Sequence, residues 1–443
     1  MKKKYGVLFA AAIFPLAFSS AAYAQTAVPE ASEADVGAYS LKGNALKAPV
    51  ATYELTGTSI SGSSKSSTAI LTAPVSQGAL AYKTESGVYF YPTVFTGVGY
   101  NDNVQSAATN VIGSNFFNVA PQLVGELKHK GDRYTALVSL DSTSYSNSSG
   151  DNVNKSDFEL AGDNYFSSRT RAGWSIGQIN SSDPRNATNY TPSAEVDRWH
   201  STNLNGRLIY GAAEAQGRLE VDLGRQDKTY DNNRTITEVA DLNLTSVAAR
   251  GFYRLGARTQ ALIEFRDAKA NYLSSLSTDS NTERRYYAGV TWEATAATTG
   301  MVKVGRMTKD FDLSSKEGFG GSSWEATVRW LPRTYSSFDL QTSRVTADST
   351  GFGNYLLNTG TNLTWNHKWT QSLSSRVAVG VLNSEFVGTP RTDTISSYAL
   401  TVDYAIMRWV KVGLDFASTD NSSTAAASTY KRNVTMLTLN ATL

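Results

Sequence analysis

Charged residues fall at even spacing along several segments. Arg218, Glu220 and Asp222 stand in "GRLEVDLGR", Glu264 and Arg266 in "QALIEFRD", and Glu283 and Arg285 at the head of "ERRYYAGVTWEA". Glu325 and Arg329 follow in "SWEATVRW", Asp403 in "SYALTVDYAI", and Lys411 and Asp415 in "KVGLDF". Carboxylates in such number leave paired acid–base chemistry open on residue type alone. Little else supports catalysis. His129, His200 and His367 do not have the spacing of a zinc site, and neither G-x-S-x-G nor H-E-x-x-H occurs. The glycines of "GFGGSS" lie in a polar connection without the strand-to-helix context of a phosphate cradle. No catalytic residue, metal ligand or cofactor is assigned. A two-residue period is that of a β-strand, so these charges share one face of each strand.

The opposite face is apolar. Leu219, Val221 and Leu223 alternate with the first group, Ala261, Ile263 and Phe265 with the second, and Tyr286, Ala288, Val290 and Trp292 continue the third. The same period recurs in "YTALVSLDS", in "SRVAVGVLN" (Val377, Val379, Val381) and in Leu400, Val402, Tyr404 and Ile406. Short connections near Gly131, Ser168, Ala213, Gly256, Ala297, Pro332, Lys368 and Arg408 recur at roughly 35 to 45 residues. Long polar ones, such as "NSSDPRNATNYTPSAEVD" and "TDNSSTAAASTY", lie between them.

A soluble sandwich also alternates. Short turns on one side and long loops on the other, aromatics near strand ends, and charges on the inner-type face favour a closed transmembrane barrel. The fold expected is all-β: an antiparallel up-and-down barrel of about 18 strands, with short periplasmic turns and longer extracellular loops. In Ser323 to Arg344, the alternation places Trp324, Val328, Trp330, Phe338 and Leu340 toward lipid, with Pro332-Arg333 as the turn.

Lys2 to Lys4, the apolar run "YGVLFAAAIFPLAF" and Ala22-Tyr23-Ala24 read as a signal peptide over residues 1–24. Residues 25–86, with the low-complexity "SISGSSKSSTAI", read as a flexible periplasmic arm or plug, and 87–443 as the barrel. Across the 443 residues the net charge is +2, with both signs interspersed and no basic stripe for nucleic acid. Cysteine is absent, which removes disulfides and thiolate sites.

The words "GVTWEATAATTGMVKVGRMTKDF", "GSSWEATVRWLPRTYSSFDLQTSR", "LTWNHKWTQSL" and "DYAIMRWVKVGLDF" resemble a family of bacterial outer-membrane proteins known as putative β-barrel porin type 2. The resemblance implies a place in the outer membrane and an association with assembly of capsule or exopolysaccharide. Its implied partners are outer-membrane lipid, the polysaccharide, periplasmic export components and the barrel-assembly machinery. The chain ends in Leu443, where outer-membrane strands often end in an aromatic.

With the apolar face toward lipid, Arg218, Glu220, Asp222, Glu264, Arg266, Glu283, Arg285, Glu325, Arg329, Asp403, Lys411 and Asp415 are expected to line the lumen. A lipid-facing charge near the midplane would cost about 2–4 kcal/mol. Both signs occur together, unlike the single-sign ring of a strongly selective pore. Two readings stand: a component of polysaccharide export, and a general diffusion porin or structural outer-membrane protein.

Overall fold

The computed structural model describes residues 71–73, 81–185, 193–212, 214–295, 297–349 and 353–442. The signal-peptide reading therefore falls outside the described residues, as does most of the arm.

The strands are β1 (Tyr82–Lys83), β2 (Val88–Asn101), β3 (Ser114–His129), β4 (Asp132–Tyr145), β5 (Val153–Tyr165), β6 (Thr170–Ser182), β7 (Arg198–Tyr210), β8 (Gly217–Tyr230), β9 (Leu242–Gly256) and β10 (Thr259–Tyr272). They continue as β11 (Asn281–Thr295), β12 (Thr298–Phe311), β13 (Phe319–Arg333), β14 (Ser336–Asp348), β15 (Tyr355–Lys368), β16 (Leu373–Val387), β17 (Thr392–Met407), β18 (Val410–Ser423) and β19 (Tyr430–Thr442). Each of β2 to β19 pairs antiparallel with its sequence neighbour, and β19 returns to β2 through Val434↔Asn101 to Thr442↔Thr93. The result is a closed barrel of 18 strands. β1 pairs with β2 at Phe90 and Tyr89, just beyond the last residue of β19, and covers the edge that β19 leaves open.

Closure pairs the backbone within the sheet, which a hydrocarbon environment requires. Among the described residues no helix is long and apolar enough to cross a membrane; the crossing is made by strands.

One end of the barrel has the short connections 130–131, 166–169, 211–216, 257–258, 296–297, 334–335, 369–372 and 408–409. The other carries 102–113, 146–152, 183–197, 231–241, 273–280 and 312–318, with shorter loops at 349–354, 388–391 and 424–429. The first end is periplasmic by the asymmetry of outer-membrane barrels. Lys130 and Gly131 both have positive φ, 49° and 97°, the backbone of a two-residue turn whose twist matches its flanking strands.

Pro332 is not in a turn. The reversal is made by Thr334 and Tyr335, and Pro332 and Arg333 close β13, where the ladder to β14 shifts register between Trp330 and Arg333. A proline without an N–H is tolerated at such an irregularity. Strands also run further outward than the apolar pattern indicates: Thr419–Ser423 of "TDNSST" belong to β18. Above the bilayer an outward side chain need not be apolar, so the alternation ends before the ladder does.

The outer face is the apolar one. Trp330, Leu340, Val379 and Val381 are exposed on it, and Trp330, Phe338 and Trp365 stack in sequence across β13 to β15, with centroids 5.4 and 6.1 Å apart. Such an aromatic belt suits the bilayer interface at the periplasmic rim.

Candidate functional site

The inner face is built from the alternate positions, and its two halves differ. On β7 to β14 the inward side chains are long and charged. Arg207 Nε lies 2.6 Å from Asp222, and Asp222 also accepts from Arg250 at 2.5 Å. Arg250 meets Glu220 at 3.2 Å and Glu264 at 3.4 Å, while Arg218 sits 3.1 Å from Glu220. Glu264 pairs with Arg266 and, at 3.0 Å, with Lys303. Glu325 then gathers Arg266 (2.8 Å), Lys303 (2.9 Å) and Arg285 (3.3 Å). Arg285 closes onto Glu283 at 2.6 Å.

Acids and bases thus alternate in space from β7 to β13, and most are deeply buried; Arg250 and Lys303 are each 1% exposed. Buried charge is tolerable only when paired and hydrogen-bonded. Gly289 stands directly across the ladder from Lys303. A Cβ there would come 2.7 Å from that of Lys303 and 2.3 Å from the Val302 carbonyl oxygen, so the absent side chain leaves room for the lysine.

The network reaches a strand end bent into the barrel. Pairing between β13 and β14 stops at Trp324↔Arg344, although β13 continues outward to Phe319. Beyond that point β14 leaves its neighbour and turns inward. Asp348 accepts from Lys309 on β12 (2.5 Å), Tyr272 Oη on β10 (2.7 Å) and Asn281 on β11 (3.1 Å). Thr346 Oγ1 donates to Glu283. The outer end of the β14–β15 hairpin therefore narrows the lumen from the extracellular side, held by the charged wall.

On β15 to β19 and on β2 the inner wall is mostly small and uncharged: Asn362 and Thr364, Ala378 and Gly380, Ser397 and Thr401, Thr438 and Asn440, Thr93 and Gly97. Its charged members include Arg376, Asp393, Asp403, Lys411 and Asp415. Thr401 Oγ1 donates to Asp415 at 2.5 Å, and Arg376 Nε donates to Asn366 at 3.1 Å.

Of the residues picked from sequence, Arg218, Glu220, Asp222, Glu264, Arg266, Glu283, Arg285 and Glu325 lie in one connected network. Arg329 forms a separate pair with Asp339 at 2.5 Å. Asp403, Lys411 and Asp415 lie on the opposite wall, on β17 and β18. Arg207, Arg250, Lys303, Lys309 and Asp348 were not picked. Lys303 was legible, flanked by Val302 and Val304; Arg250 was not, because "SVAARGFYR" interrupts its alternation with alanines.

A second inner-wall feature lies near the periplasmic mouth. Residues Leu71, Thr72 and Ala73 dock on β3 to β5. Asp163 accepts from Leu71 N (2.9 Å) and Thr72 Oγ1 (2.6 Å), and Arg133 donates to Thr72 Oγ1 (2.5 Å) and the Ala73 carbonyl (2.6 Å). Thr135 Oγ1 accepts from Ala73 N at 2.8 Å, Glu126 holds Arg133 at 2.6 Å, and Ala73 packs with Val124 and Leu137. This part of the chain before the barrel is thus bound to the inner wall.

Among the described residues no trio of His, Asp or Glu is grouped to hold a metal ion. The carboxylates of the charged wall are occupied by arginine and lysine.

A closed barrel with an apolar belt and a polar interior defines an outer-membrane, porin-like channel. The profile of the family "Putative beta-barrel porin 2" matches residues 86–443, and the chain belongs to that family. Comparison with curated proteins gave no match. Solved structures with similar folds include OccK2 (OpdF) of Pseudomonas aeruginosa in complex with glucuronate, at 9% identity and TM-score 0.47 over 82% of this chain and 100% of that one. The outer membrane channel DcaP of Acinetobacter baumannii matches at 13% identity and TM-score 0.45, over 82% and 99%. A bacterial polysaccharide outer membrane secretin matches at 10% and 0.39, over 80% and 98%. The protein is a bacterial outer-membrane barrel.

Proposed function

We propose that this barrel takes part in export of a surface polysaccharide, with the polymer passing along the sparsely charged wall of β15 to β19 and β2. The observation that carries the reading is the division of the inner face. The charges of β7 to β14 neutralise one another and leave no single-sign ring to select ions. Across from them, Asn362, Thr364, Ser397, Thr401, Thr438 and Asn440 offer amide and hydroxyl groups that both donate and accept. Sugar hydroxyls do the same, so a moving chain exchanges hydrogen bonds without any unit being held tightly. The family's association with polysaccharide assembly points the same way.

The test is deletion of the gene. Surface polymer falls and material accumulates in the periplasm, while uptake of small solutes stays near normal. Unchanged surface polymer with a clear loss of small-solute permeability rejects export in favour of a general diffusion porin.

A further inference from the structure

The outer face carries a cluster of three arginines on β11, β12 and β14 above its apolar belt. Arg284 on β11 and Arg306 on β12 stand one outward row above Tyr286 and Val304, and Arg344 on β14 stands directly across from Trp324. Tyr286 and Val304 are exposed. At the same height on β15 to β19 the outward residues are neutral, among them Thr359, Asn383, Thr394, Ser418 and Asn433. Other outward basic residues, such as Arg225 on β8 and Lys269 on β10, lie further round the barrel, and Arg225 is paired with Asp227.

Their arrangement leaves a shallow seat. Gly320 and Ser322 of β13 form its floor between β12 and β14, and the guanidinium of Arg306 lies across Gly320, 3.4 Å from where a Cβ would stand. Arg344 occupies the notch where β14 leaves β13, donating to the Ser322 carbonyl (2.6 Å) and Oγ (3.1 Å) and lying 5.8 Å from the Trp324 ring centroid. Arg284 is oriented by Asp267 at 3.0 Å and is further from Asp310 at 3.8 Å. Arg306 is exposed and makes no ion pair or hydrogen bond among the described residues.

We propose that this seat binds the phosphorylated headgroup of an outer-leaflet glycolipid of the lipid A type. Charge selects phosphate, because guanidinium groups bind its oxygens with strong, charge-assisted hydrogen bonds. Position selects a lipid over a soluble anion: the seat opens outward, away from the lumen, and the apolar surface of Val304, Trp324, Ala326 and Val328 runs directly beneath it for acyl chains. Asp267 and Asp310 reduce the local positive charge and hold Arg284 in place, leaving Arg306 and Arg344 as the principal contacts.

The test uses the full barrel in detergent, with native mass spectrometry to count bound lipid. Phosphorylated lipid A, the same lipid with its phosphates removed, and inorganic phosphate are offered separately. The wild type prefers the phosphorylated lipid by at least about tenfold, and inorganic phosphate binds far more weakly. Arg306→Gln with Arg344→Gln abolishes the preference. Arg306→Gln alone, at a side chain without internal partners, reduces it about threefold and guards against loss of the double variant to misfolding. Thr394→Gln, on the outward face of β17 and three strands from Arg344, leaves it intact. Equal binding of the two lipids by wild type, a preference that survives the double substitution, or inorganic phosphate binding as tightly as the lipid overturns the proposal.

Discussion

The two walls of the lumen solve the same problem differently. On β7 to β14, long charged side chains fill the interior and neutralise each other, as when Glu325 takes Arg266, Lys303 and Arg285 together. On β15 to β19 and β2, many inward side chains are short hydroxyls and amides, themselves mostly buried, with the charges of Arg376, Asp403, Lys411 and Asp415 among them. A polar lumen is therefore two materials: one half is an ion-paired wall that also anchors the bent end of β14, and the other is built mainly from short polar side chains. Stability should reside in the first and passage in the second.

Lys303→Met is the most severe test of that division. It removes one of the two cations, Lys303 and Arg266, that Glu264 and Glu325 share, and is expected to cost about 3–5 kcal/mol, the scale of breaking a buried ion pair from one side. The urea midpoint of the folded, heat-modifiable barrel measures it; a loss below about 1 kcal/mol would mean that the charged wall is not structural.

A charge on the opposite face of the sheet sharpens the contrast. Val328→Arg places an arginine on the lipid side, among Trp324 and Trp330, without an acid to meet it. It should cost about 2–4 kcal/mol if near the midplane, seen as less folded protein in outer membranes. Normal insertion would show that Val328 does not face hydrocarbon.

On the sparsely charged wall, Ser397→Ala removes only a 3.4 Å hydrogen bond to the Gly380 carbonyl. Its expected cost is about 0.5 kcal/mol in the same urea titration, and a loss comparable to that of Lys303→Met would erase the distinction between the walls. Smallest in its effect on stability is single-cysteine labelling along β16, without background because the chain has no cysteine. Water-soluble thiol reagents should modify Ala378→Cys, and lipid-soluble ones Val379→Cys and Val381→Cys; failure to alternate would reassign the faces.

The barrel was legible because lipid forces an apolar residue at every second position within the bilayer. That constraint revealed the strands and their number. It lapses above the membrane, which is why the outer reaches of β18 and its neighbours read as loop. It also says nothing about distant strands. Asp348 lies at the end of β14, while its partners Tyr272, Asn281 and Lys309 come from β10, β11 and β12, so no local pattern announces the inward bend. Pro332 misled for a related reason: proline marks a break in the ladder, and the break was a register shift two residues before the turn.

The notch between β13 and β14 also works as a depth gauge. Above Trp324↔Arg344 the wall is no longer sealed by paired strands, and the facing edges expose backbone groups, one of which, the Ser322 carbonyl, is met by Arg344. An open strand edge cannot stand in hydrocarbon, where water is not available to satisfy it. The oily layer must therefore end at or below that pair on this side of the molecule, which fixes the waterline of the barrel from its own hydrogen bonding.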